Sequence, residues 1–147
     1  MILIMLHLIL NDYDKMGQFE IEVNPSYDNI SVHIEAGEDG NVWLSKAEIA
    51  QAFEVFYAAV SANIRVMMKS GDLSENRHVK TIYYRNKKGQ ECSNELFNLE
   101  AAIALGFRMK GYKCQLFRQW VARQLSTVNN QKKMAFIIQM CNSGVKN

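Results

Sequence analysis

A chain of 147 residues, 48% of them apolar and with one proline and eight glycines, can bury a substantial core in one domain and leaves little room for linkers. The three cysteines, Cys92, Cys114 and Cys141, are odd in number and widely spaced, and with three histidines at no useful offset from them they read as reduced, buried or half-buried thiols of a cytosolic protein and not as a four-ligand zinc site. The net charge of +2 conceals a split: residues 1–60 carry two lysines against ten carboxylates (−8), and residues 61–147 carry fifteen Lys and Arg against five (+10). Such a division points either to a polyanion meeting the basic half or to the two halves neutralising each other internally.

Met1–Leu10 is almost wholly apolar but too short to span a membrane. No cation precedes it and no small-residue cleavage site follows, so it does not read as a secretory signal. It reads as a buried strand; alternatively, translation starts at Met16 and the stretch joins the fold poorly. Gln18–Val23 and Ile30–Ala36 alternate polar and apolar residues across the turn cluster Asn24–Asn29. This predicts an antiparallel hairpin with Ile30, Val32, Ile34 and Ala36 on one face.

Ser45-Lys46-Ala47-Glu48 is a capping box, predicting a short helix with Ile49, Ala50 and Phe53 inward. Val60, Ile64, Met67 and Met68 mark a second helix, stopped at Gly71. Only Glu54-Val55-Phe56 lies between them, so the pair reads as a helix-turn-helix over residues 45–70. His78–Arg85 and Gln90–Phe97 then form a hairpin around Asn86-Lys87-Lys88-Gly89, a loop suited to a type I turn closed by a left-handed residue. Asn98 caps a helix with Leu99, Ala102, Ile103 and Phe107 inward. After a break at Lys110-Gly111-Tyr112, a further helix carries Leu116, Phe117, Trp120, Val121 and Leu125, with Arg118 and Arg123 toward water. Asn129-Asn130 separates a last amphipathic piece, with Met134, Ile137, Ile138 and Cys141, that packs on the body or on a second copy.

The expected fold is therefore α+β: an N-terminal β-hairpin (1–40) packed on the body, a winged helix-turn-helix with a C-terminal helical pair (41–128), and a short helix or tail (129–147). In such an arrangement the second helix lies in the major groove. The side chains offered to double-stranded DNA are Tyr57, Ala58, Ser61, Ala62 and Arg65, with Asn63 and Lys69 toward the flanks. Arg65 suits guanine, Tyr57 or Ser61 suits phosphate, and the alanines suit thymine methyls. Arg85, Lys87 and Lys88 form a basic wing tip that releases counterions on phosphate binding. Lys110, Lys113, Arg118 and Arg123 extend the same surface. No phosphate-cradling glycine loop, nucleophile elbow or zinc-protease motif is present, and Cys92 or Cys114 paired with a histidine would be coincidental. The reading is a non-catalytic cytoplasmic protein with no cofactor, metal, membrane or small-molecule partner. A homodimer is compatible with it, because palindromic half-sites demand two-fold symmetry.

Val42-Trp43-Leu44-Ser45, Glu48-Ile49-Ala50-x-x-Phe53-x-Val55, Lys69-Ser70-Gly71-Asp72-Leu73, Lys88-Gly89, Phe97-Asn98-Leu99-Glu100, Gly106-Phe107-Arg108 and Phe117-Arg118-x-Trp120 follow one another over residues 42–125. In that order they resemble RhuM-type virulence proteins and related regulators of bacterial mobile elements. The Phe-Arg-x-Trp element is also similar to the N-terminal domain of phage antirepressors. The resemblance implies a DNA-binding regulator, or else an antirepressor-like interaction module on the same scaffold. Glu54 stands where that family commonly has glycine, so the turn is differently shaped or mildly strained. The recognition helix is also poor in the usual Ser, Thr, Gln and Arg.

Overall fold

A computed structural model describes residues 16–143, with side chains placed through Val128. The readings for Met1–Leu10, for Met16 as the start, and for the side chains of Met134, Ile137, Ile138 and Cys141 lie outside the described residues. What is described is an α+β fold of five helices and two small antiparallel sheets.

The first sheet is the hairpin of β1 (Gln18–Val23) and β2 (Ile30–Glu35), in register from Gln18 opposite Glu35 to Val23 opposite Ile30. Asn24 closes its turn by accepting from the amides of Asp28 and Asn29, both at 3.1 Å. Phe19, Ile21 and Ile30 are buried, but Ile34 and Ala36 are exposed, contrary to the alternation. Period-two spacing fixes a face, not what covers it. β1 lies against the first helix, and the far half of β2 is left open.

The second sheet has the order β3-β5-β4, from Trp43–Leu44, Glu91–Asn98 and Val79–Arg85. Between β3 and β4 the chain folds into α1 (Lys46–Phe53), α2 (Tyr57–Ser70) and a single turn, α3 (Glu75–His78). Ser45 Oγ accepts from the Glu48 amide at 3.2 Å, and Gly71, at φ 84, ends α2 in the left-handed conformation. The strand expected from His78 starts one residue later. His78 is instead buried at the end of α3, its Nδ1 accepting from the Ser74 amide at 3.0 Å.

α4 (Leu99–Arg108) begins at Asn98, whose side chain accepts from the Ala101 amide at 3.0 Å. α5 (Tyr112–Ser143) is a single helix of 32 residues. It runs through Asn129-Asn130, where a break was expected; asparagine disfavours a helix interior by only about 0.7 kcal/mol, too little to stop one this long. Two further expectations fail nearby. Phe107 is 50% exposed and Leu125 58%, because the inward positions of α4 are Ala101, Ala102, Leu105 and Gly106, and α5 passes off the body beyond Val121. The core centres on three rings: Phe117 lies 5.2 Å from Phe53 and 6.1 Å from Phe19, both edge-on. Gly106 fits beneath them, where a Cβ would meet Phe53 and Phe117 at 2.8 Å.

Glu54 resolves the question left by the missing glycine. It adopts the left-handed conformation, φ 50 and ψ 49, so the turn keeps the glycine-type shape. A side chain there costs about 1 kcal/mol relative to glycine. Two bonds offset this: Tyr112 donates its hydroxyl to Glu54 Oε2 at 2.7 Å, and Lys113 Nζ donates to Oε1 at 3.3 Å. Lys113 is buried, so Glu54 is also its counter-ion. Glu54→Gly should therefore lower the melting temperature in the natural background but raise it when Tyr112 and Lys113 are first changed to Phe and Met. A gain in both backgrounds would mean that the clasp contributes nothing.

The Tyr112 hydroxyl, then Lys113, holds the Glu54 carboxyl below its ordinary pKa, and the same bond pushes the Tyr112 phenol above its own. The carboxylate's contribution is present above the ordinary carboxylate range and lost as pH falls through the depressed value. The phenol's is present below its ordinary range and lost as pH rises through the raised one. In Tyr112→Phe the melting temperature against pH should lose the alkaline shoulder and keep a smaller acid one, the part that Lys113 holds.

Candidate nucleic-acid interface

On α2, Val60, Ile64 and Met67 face the core, and away from that stripe Ser61, Arg65, Ala58, Lys69 and Ala62 follow one another round the helix in one band; Tyr57, three and seven residues before Val60 and Ile64, continues the line of the core stripe but stands exposed at the helix start. All are exposed except Ser61, which is half-buried. Asn63 is not part of the band. It sits on the other flank, and its amide donates to the Ala59 carbonyl at 2.8 Å.

Ser61, Arg65 and Lys69 line a shallow groove with Ile64 and Met68, and the far wall is Lys46. Lys46 was not among the residues singled out from sequence. It belongs to α1, and only the packing of the two helices brings it to this face. As the first residue of α1 it stands at the positive end of a helix dipole, where a cation is unfavourable for stability. Three cations and a hydroxyl thus gather in one groove with no carboxylate in its lining.

The hairpin tip is well organised. The Asn86 side chain accepts from the amides of Lys88, at 3.0 Å, and Gln90, at 2.9 Å, and Gly89 takes φ 76. Lys87 and Lys88 project to solvent, and Arg85 meets Glu91 at 3.5 Å in a fully solvated pair worth little. Tyr83, 82% exposed, stands on the same ribbon. Lys80 is engaged elsewhere, 5.6 Å above the Trp43 ring.

The proposed extension along α5 is only partly available. Lys113 is buried against Glu54. Arg118, expected toward water, is half-buried and donates to the carbonyls of Gly106 and Met109, at 3.0 and 3.1 Å, satisfying the end of α4. Arg123 donates to Asn29 Oδ1 at 2.7 Å. Lys110 stays exposed. Among the described residues, Glu54–Lys113 is the one ion pair that joins the acidic half of the chain to the basic half. Among the described residues, direct pairing therefore does little to neutralise the two halves.

A second groove has the opposite sign. It runs between β1 and α1 and is lined by Glu20, Glu22, Glu48 and Glu54, with Lys113 as its cation. Burial pushes the Glu48 carboxyl above its ordinary pKa, against hydrogen bonds from Ser45 that lower it.

Among the described residues, no cluster of His, Cys, Asp and Glu could hold a metal, and no helix is long and apolar enough to cross a membrane. Cys114 is fully buried and its thiol is pushed up by desolvation, the reverse of an activated nucleophile. Half-buried Cys92 should react with a disulfide reagent in the native protein of a Cys141→Ser variant, and Cys114 only on unfolding. Native labelling of two thiols would contradict this core.

Compared with family models, curated proteins and solved structures, the chain matches none. The resemblance to RhuM-type proteins and antirepressors rests on the motif residues alone.

Proposed function

We propose that this is a non-catalytic DNA-binding protein, a transcriptional regulator of a bacterial mobile element, built on a winged helix-turn-helix. In this reading α1 and α2 are the helix-turn-helix, α2 enters the major groove of double-stranded DNA, and the β4–β5 hairpin is the wing. The observation that carries it is the convergence of Lys46, Arg65 and Lys69, with Ser61, on one carboxylate-free groove beside the exposed band of α2. The strand order β3-β5-β4, the ordered tip at Lys87 and Lys88, and the motif resemblance support it. Lys46 and Lys69 are assigned to phosphates, Arg65 to a guanine edge or a phosphate, and the wing cations to the neighbouring backbone.

The test is selection from a random duplex library at two salt concentrations. A regulator yields an enriched motif at both, with affinity falling steeply with salt. Absence of duplex binding at low salt would refute the reading. A protein-interaction module on the same scaffold is the second reading, favoured by the acidic groove, which suits a basic partner segment. It predicts partner binding indifferent to charge reversal of Lys87 and Lys88.

A further inference from the structure

We infer that the leading turns of α2 read the C5-methyl group of thymine, so that the duplex this protein prefers is rich in A·T pairs. The inference rests on the DNA-binding reading above and names the base chemistry of that site.

Apart from the Tyr57 hydroxyl, the first exposed positions of the helix, Phe56, Tyr57 and Ala58, carry no side-chain hydrogen-bonding group. Phe56, at the N-cap, is 87% exposed, and Tyr57 is 56% exposed. Ala58 and Ala62 are exposed as well. Ser61 is half-buried, and the Asn63 amide is spent on its own helix. Phe56 is unfavourable twice over: an N-cap ordinarily supplies a side-chain acceptor, and none caps α2. Its ring is also nearly bare in water.

The major groove offers one apolar feature, the thymine methyl, while guanine and adenine edges there demand donors. A leading surface of Phe, Tyr and Ala matches the methyl. The cations Lys46, Arg65 and Lys69 flank these turns with no carboxylate in their groove, which complements a polyanion rather than a second apolar protein surface.

The full chain, titrated at low salt by fluorescence anisotropy, tests this with four alternating duplexes: dA·dT, dA·dU, dG·dC, and dG·dC with 5-methylcytosine. Within each pair the hydrogen-bonding groups are identical and only the methyl differs. The methylated member should bind tighter in both pairs, by about fourfold for each methyl buried. The double variant Phe56→Ala, Tyr57→Ala should lower both ratios and leave the salt dependence in place. Salt-dependent binding by the natural protein with both ratios at one overturns the methyl reading and leaves DNA binding standing. Ratios unchanged in a folded double variant overturn the assignment to Phe56 and Tyr57. Binding to none of the four duplexes overturns the DNA-binding reading itself.

Discussion

Phe117→Ala should cost about 3–5 kcal/mol of folding stability, the range for deleting a buried aromatic ring. Phe117 is the ring on which the core converges, with Phe19, Phe53, Phe107 and Trp120 all within 6.3 Å between centroids. It joins β1, α1, α4 and α5, so no single element can move in to fill the space. Against a typical total of about 5–15 kcal/mol, the variant should melt far lower or fail to fold at ordinary temperature. Gly106→Ala approaches the same point from the other side. Its new methyl would meet Phe53 and Phe117 at 2.8 Å, an overpacking costing about 1–3 kcal/mol. Because the two changes share one space, Gly106→Ala should be less damaging in a Phe117→Leu background than alone. Denaturant unfolding of the four proteins checks this, and strict additivity would mean that Gly106 is not held by these rings.

Removing Lys46, Arg65 and Lys69 together, each to Ala, should flatten the salt dependence of duplex binding by about 2–3 units of log–log slope, since each lost phosphate contact removes close to 0.9. Affinity at low salt should fall by at least a hundredfold. Stability should hardly change: Arg65 and Lys69 are exposed, where substitutions stay within about 0.5 kcal/mol, and at half-buried Lys46 the relief of a cation at the start of α1 works against the lost packing. Lys46→Ala alone is the informative single variant, because Lys46 belongs to α1 and not to α2. An unchanged slope in the triple variant, with duplex affinity intact, would remove α2 from the interface and leave the wing.

Much of the frame was legible because its signals are local. Ser45, Gly71, Asn98 and the Asn86–Gly89 turn act within four residues of themselves, and each has the conformation or bond its chemistry demands. The exposed band of α2 follows equally from the spacing of Val60, Ile64 and Met67. What sequence could not show depends on partners distant along the chain. Lys46 reaches the band only through helix packing. Lys113 and Arg118 looked like free cations because their acceptors lie at Glu54 and at the end of α4. The inward reading of Phe107 failed because a glycine, invisible to a hydrophobic stripe, occupies the buried position beside it. Nothing local marked Phe56 as exposed; only the extended backbone at the elbow turns it out.

The clasp between Glu54 and the first turn of α5 has a consequence for which lengths of chain this fold tolerates. Met109, Lys110 and Gly111 join α4 to α5, and Gly111, at φ 158, turns beside Val55 at the elbow. A residue inserted or deleted there and taken up by the start of α5 would rotate the rest of that helix by about 100° about its axis and shift it by about 1.5 Å. Tyr112 and Lys113 would then swing off Glu54, while Phe117 left the ring cluster. The joint therefore sets the phase of a helix about 48 Å long. Of its residues, Met109 is also fixed in kind, because its side chain is buried in the core.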